Sequence, residues 1–245
     1  MAQEKAGLGE QALNKIAEMA LASQLSEAER LEVQIKTDLS KLARGEVDSI
    51  AININGLLMQ PHLRVEELQL QINRITVKPR SALFGKIQLT HPCRGTVRIV
   101  INDDSLTRAF NSEFPNLQQM QGKVEDKQVA IHVQQVKCCL LADGNIAFNS
   151  EVVLGNTGEA RAFAFTATPR IGNDGKAIIL QDVHYVKGKE LPPELTAAML
   201  TRVSEVLSLR DFEQKGMSLR IQHLDVAAGK LTLQAAAYIE QFPSS

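Results

Sequence analysis

Residues 63–77 read LRVEELQLQINRITV, and the alternation of apolar and polar side chains changes phase twice within them. Leu63 and Val65 hold odd positions, Leu68, Leu70 and Ile72 even ones, and Ile75 and Val77 odd ones again. Side chains alternate faces along a strand with a period of two, so an uncorrected slip of one residue carries every later apolar group to water. A strand that keeps all seven on one face must bulge or bend twice, and Glu66–Glu67 and Asn73–Arg74 mark the two places.

Strand patterns flank this stretch on both sides. RLEVQIK places Leu31, Val33 and Ile35 on one face, SIAINING does the same with Ile50, Ile52 and Ile54, and CRGTVRIVIND with Val97, Ile99 and Ile101. Between the first two, DLSKLARGE reads as a short turn or helix ending at Gly45. Strands of about 10 to 15 residues extend roughly 33 to 50 Å at about 3.3 Å per residue, well beyond the usual length. Sheets that long twist and curve, and a curved sheet has a concave face.

The remaining pattern supplies helices and hairpins. Residues 9–25 set Ala12, Leu13, Ile16, Ala17, Ala20 and Leu21 at helical spacing, an amphipathic helix that docks on the body or lies on a membrane. DDSLTRAF is a short helix carrying Leu106 and Phe110, with Asp103 or Asp104 as its cap. Asp143–Gly144, GNDGK (172–176) and Ala228–Gly229 each join two alternating runs and predict hairpins. The second hairpin carries Phe163 and Phe165 on one face. Pro192 and Pro193 open a long helix, taken as Pro192 to Arg210, whose stripe is Leu195, Met199, Val203 and Val206. Strands and helices do not alternate, so the fold class is α+β: a long, strongly curved antiparallel sheet wrapped around one long helix, with an additional N-terminal amphipathic helix. Residues 1–26 form that helix and 27–245 a single domain.

Composition excludes more than it assigns. The 245 residues are 44% hydrophobic and 22% charged with a net charge of -1, which supplies no global attraction to nucleic acid or anionic membranes. Aromatic residues make up 4% with no Trp, too few for a platform that stacks single-stranded bases, so no nucleic acid partner is expected. No window approaches 18 consecutive apolar residues and the charged N-terminus lacks the run of a secretory signal. Three cysteines, Cys93, Cys138 and Cys139, make a disulfide framework a poor reading, and a reducing, cytoplasmic location follows.

No nucleophile elbow, nucleotide loop, zincin or paired CxxC motif occurs, and the five histidines share no short spacing with one another or with cysteine. No catalytic residue, metal or cofactor is expected. On a strand, Cys138 and Cys139 point to opposite faces, one buried and one an inert thiol. Lys78, Arg80, Lys86, Arg94 and Arg98, interrupted by Leu83, Phe84 and Ile87, either meet phosphate groups or form a solvated strand edge.

The run from Leu31 to Phe110 resembles the LmeA-type phospholipid-binding family. The resemblance rests on LEVQIK, the turn ending in RGEV, SIAINI, GLL, LRVEELQLQINRITV, FGKIQL, HPCRG and above all VRIVINDDSLTRAF; the closing SLRIQHLDVAAGKLTLQAAA also fits. It implies a domain similar to tubular lipid-binding folds, non-enzymatic, holding a phospholipid or similar amphiphile in an elongated apolar groove for binding, transfer or membrane-lipid maintenance. Members are often exported or anchored through an N-terminal segment; here a charged amphipathic helix stands in that place, favouring the cytoplasmic side, peripheral at a membrane. The expected groove lining is Leu68, Leu70, Ile72, Ile75 and Val77 on one strand, Val97, Ile99 and Ile101 on the next, Phe163 and Phe165, and Leu195, Met199 and Val203 on the long helix. Lys78, Arg80, Phe84 and Lys86 are the expected head-group or membrane contacts. The competing readings are an interaction module with a fully packed core and, more remotely, a lipid hydrolase using Asp103, Asp104 or His184.

Overall fold

The stretch 63–77 lies in the middle of a six-stranded antiparallel sheet. The computed structural model describes residues 8–23, 25, 27–60, 62–78, 88–112, 120–124, 127–155, 158–190, 192–210 and 216–240. The chain opens with α1 (Leu8–Ala22), then β1 (Arg30–Lys36), the short α2 (Leu39–Ala43), β2 (Glu46–Gln60), β3 (Leu63–Thr76) and β4 (Cys93–Asn102). After a long excursion it returns as β11 (Met217–Ala227) and β12 (Lys230–Ile239), and the sheet order is β1-β2-β3-β4-β12-β11.

Strand pairing carries the apolar residues of this sheet into register across all six strands. One row runs Leu31, Ile54, Leu68, Ile99, Leu233 and Leu224; the next runs Val33, Ile52, Leu70, Val97, Ala235 and Ile221; a third runs Ile35, Ile50, Ile72, Gly95, Ala237 and Leu219. The opposite face is polar, with Gln69, Gln71, Thr96, Arg98 and Gln234 among its side chains and an ion pair from Arg98 to Glu67 at 2.6 Å. Gly95 closes the third row because any larger residue collides: a Cβ there would sit 2.6 Å from the Gln71 carbonyl oxygen.

The two phase shifts are real, but they are not bulges. β2 shifts at the same two levels, so that Val47 faces Ile75, Ile50 faces Ile72, Ile54 faces Leu68 and Leu57 faces Val65. Register is constant from Glu46 against Thr76 to Leu58 against Arg64, so no residue has been inserted in either strand. Each shift instead contains one residue in the left-handed region: Arg74 at φ 55°, level with Asp48, and Gly56 at φ 61°, level with Glu66. A left-handed residue interrupts the pleat without adding to it, and both strands turn over together.

The excursion builds a second antiparallel sheet. Asn102 runs into α3 (Asp103–Ser112), followed by β5 (Met120–Val124), β6 (Lys127–Val133), β7 (Lys137–Leu140), β8 (Ile146–Leu154), β9 (Ala160–Ile171), β10 (Ile178–Tyr185) and α4 (Pro193–Val206). The order is β10-β9-β8-β6-β5, with β7 continuing beside β8. The fold is thus α+β with antiparallel sheets, but the strands make two sheets where one was expected. The three expected hairpins are present, at Leu140–Ile146, Ile171–Ile178 and Ala227–Lys230. α4 buries the expected stripe of Leu195, Met199, Val203 and Val206, and packs against β10, α3 and β5. It ends earlier than Arg210 because the chain turns at Leu207 into a bridge between Ser208 and Ala177. The element packed against both β3 and β7 is the shorter α3.

Two helices are bonded side-on to strands by the same device. Val33 and Ile35 donate their backbone N–H groups to Glu18 Oε1 (3.2 Å) and Asn14 Oδ1 (2.8 Å) on α1. On α3, Asp103 Oδ1 accepts from Leu140 N–H (2.7 Å), Thr107 Oγ1 from Cys138 N–H (3.0 Å) and Asn111 Oδ1 from Val136 N–H (2.8 Å). Four residues of helix rise about 6 Å and two residues of strand about 6.6 to 6.8 Å, so side chains at i and i+4 meet alternate backbone groups of the strand. The expected cap of α3 is corrected accordingly: Asn102 Oδ1 accepts from Ser105 N–H at 2.9 Å, which frees Asp103 to hold β7.

Candidate functional site

The residues expected to line a groove come together in one continuous core spanning both sheets. Leu68, Ile72, Ile75, Val97, Ile99, Ile101, Phe163, Phe165, Leu195, Met199 and Val203 are buried there, while Leu70 and Val77 are half-buried against it. Ile72, Ile99, Ile101, Met199 and Val203 have no accessible surface at all, so they are core before they are a binding surface.

The exceptions locate the candidate site. Within the apolar rows of the first sheet, Leu31 and Leu224 on the outermost strands are half-buried, and so are Ile35, Ile50 and Leu70, although the neighbours Val33, Ile52, Ile72 and Val97 are buried. Ile35 is paired with Ile50, and Leu70 lies one row on beside Ile52, so the three form a contiguous apolar strip across β1, β2 and β3. α1 runs along its border, with its Ala17 and Leu21, and Leu25 just after it, half-buried against the same core. A helix that turned Ile16 and Ala20 inward, as the sequence pattern suggested, would present no acceptors to β1. Asn14 and Glu18 take the inward positions and Ile16 faces water.

At the end of β3 nearest this strip, Val77 bridges to Leu89 and Lys78 N–H donates to the Gln88 carbonyl at 2.8 Å, leaving the Lys78 side chain exposed. Arg80, Phe84 and Lys86, the other expected head-group contacts, lie outside the described residues.

Across the molecule the second sheet contributes an aromatic set. Phe148 stacks on Phe165 with centroids 4.9 Å apart and meets Phe110 of α3 at 5.9 Å; Phe165 also meets Tyr185 at 5.8 Å. The Tyr185 hydroxyl bonds Thr196 of α4, joining that helix to β10. Where Phe163 approaches the surface, a cleft of about 410 Å³ is bordered by Gln134, Gln135, Asn149, Ser150, Glu151 and Lys189. Its border is polar, unlike the strip on the first sheet.

Asp103 holds Leu140, and His184 is exposed on β10, with β9 and β8 between it and β7. Cys138 is buried and Cys139 half-buried, as strand alternation requires; burial pushes the Cys138 thiol well above its usual range, against a smaller lowering by the Thr107 hydroxyl. Among the described residues, no three His, Cys, Asp or Glu side chains cluster closely enough to hold a metal ion, and no helix is long and apolar enough to cross a membrane. The residues that sequence reading missed are Asn14, Glu18, Thr107 and Asn111. Their signal was present as polar side chains four apart within the inward stripe of an amphipathic helix.

Comparison with family models matches residues 5–236 to one described as LmeA-like phospholipid-binding. No curated protein and no solved structure matches the chain.

Proposed function

The chain belongs to the LmeA-like phospholipid-binding family, and from that premise we propose that it holds a phospholipid or similar amphiphile with its acyl chains laid along Ile35, Ile50 and Leu70. The observation that carries this reading is the incomplete cover of that strip, which reaches Ile50 and Leu70 on interior strands beside the buried Ile52, Ile72 and Val97. An acyl chain supplies the missing apolar contact: each buried methylene contributes about 0.8 kcal/mol, so ten contribute about 8 kcal/mol before the cost of immobilising the lipid. The long β2–β3 hairpin, bent at Gly56 and Arg74, is the curved wall of this groove, and α4 closes the second sheet behind it. The polar head lies toward Lys78, and Arg80, Phe84 and Lys86, which follow it in sequence, are the further candidates for contact with phosphate groups or a membrane surface. Binding, transfer or maintenance of membrane lipid follows from holding the molecule, with no bond made or broken.

Uptake of a phospholipid carrying a fluorescent acyl chain, measured in detergent-free buffer, tests this. Wild-type protein is expected to take it up and to release it to unlabelled phospholipid. Leu70→Gln is expected to lower the affinity at least tenfold with little change in melting temperature, since Leu70 is already half-exposed. Uptake unaffected by Leu70→Gln, or absent from the wild type, would overturn the proposal; absence is the result an interaction module with a packed core predicts.

A further inference from the structure

α1 has two working faces. Its inner face bonds β1 through Asn14 and Glu18 and sets Ala17 and Leu21 against the core, beside the half-covered strip. Its outer face displays Ile16 at 65% and Met19 at 67% exposure, the two most exposed large apolar side chains among the described residues. They are three residues apart, hence neighbours on one helical face. Between Gln11 and Ser23 the charged residues are Lys15 and Glu18. Glu18 is turned inward onto β1 and ion-paired at 3.3 Å with the exposed Lys15, so the acid next to Met19 is directed away from the outer face. An apolar pair flanked by a lysine matches the chemistry of a bilayer interface, where large apolar side chains insert and Lys remains at headgroup level.

We propose that α1 is a lipid-surface-operated door: Ile16 and Met19 enter the bilayer interface, Asn14 and Glu18 release β1, and the apolar strip at Ile35, Ile50 and Leu70 opens to the membrane for lipid exchange. This rests on the lipid-binding reading above. The choice of occupant follows from the continuity of α1 with that strip and from the exposed Ile16 and Met19 standing beside a lysine while Glu18 is held on β1.

The test uses the whole chain and vesicles of phosphatidylcholine containing phosphatidylglycerol as the anionic lipid. Flotation with vesicles is expected for the wild type and is expected to fall at least tenfold in an Ile16→Gln, Met19→Gln double variant. Uptake of the same fluorescent phospholipid from monomeric solution should be unchanged. Asn14→Ala with Glu18→Ala should speed vesicle-to-protein transfer at least threefold. Flotation unchanged by the outer-face variant, or transfer unchanged or slowed by the inner-face variant, would overturn the door. So would a wild-type dimer that the outer-face variant dissociates, since the occupant would then be a second copy. A wild type that takes up monomeric lipid but ignores vesicles overturns the door and leaves lipid binding standing; one that floats yet takes up no lipid overturns both the opening step and the lipid reading, leaving only surface attachment.

Discussion

At the scale of single residues, Arg74 shows how a phase shift in a strand can be made without a bulge. Its positive φ is unfavourable for an L-residue by roughly 1 to 2 kcal/mol, yet it lets Ile72 and Ile75 share the core face although three positions separate them. Glycine does the same at position 56, where φ is 61° and an added Cβ would lie 2.6 Å from the Glu29 side chain. A bulge would accept a β-branched residue at 74; a left-handed position would not. Arg74→Val is therefore expected to destabilise the protein by about 1 to 2 kcal/mol in denaturant unfolding, while Arg74→Gly is close to neutral. Equal stability of the Val variant and the wild type would show that the pleat turns over by another route. The two shift positions were legible in LRVEELQLQINRITV because apolar parity is a direct record of which face is buried. Their mechanism was not legible, since a bulge and a left-handed residue leave the same parity in one strand and differ only in the register of its partner.

At the scale of elements, the helices illustrate why amphipathic patterning reads only part of an interface. α1 and α3 each meet a strand edge, where the demand is for hydrogen-bond acceptors as well as apolar area. Asn111 meets both groups of Val136: its Oδ1 accepts from the N–H at 2.8 Å and its Nδ2 donates to the carbonyl at 2.7 Å. Val136 is fully buried, so removing that partner leaves two backbone groups with no access to water. Asn111→Ala is expected to cost about 2 to 4 kcal/mol by thermal or chemical unfolding; a loss below 0.5 kcal/mol would mean that the side-on bonding does not hold β7 to α3. Hairpins with Asp-Gly or Ala-Gly turns were legible because the turn chemistry is local. The β5–β6 pair escaped notice because MQGKVEDKQVAIHV carries no such turn signal and little alternation at its start.

At the scale of the whole molecule, the class of fold and the residues that share a core could be read from the chain, whereas the division into two sheets could not. Pairing of β12 with β4 joins segments more than a hundred residues apart, and nothing local announces it. The same long-range pairing completes the apolar rows, and so decides that most of the anticipated lining is closed core, while Ile35, Ile50 and Leu70 are among the side chains that retain exposure. Ile35 and Ile50 were visible as strand residues but had no mark setting them apart, because partial cover is a property of what packs above them. The central claim is that this strip holds lipid. Mass spectrometry of protein purified without detergent, followed by solvent extraction, tests it most directly. About one phospholipid per chain is expected from the wild type, and a loss of most of it from folded Leu70→Gln protein. Lipid-free wild-type protein, or full retention in the variant, would contradict it.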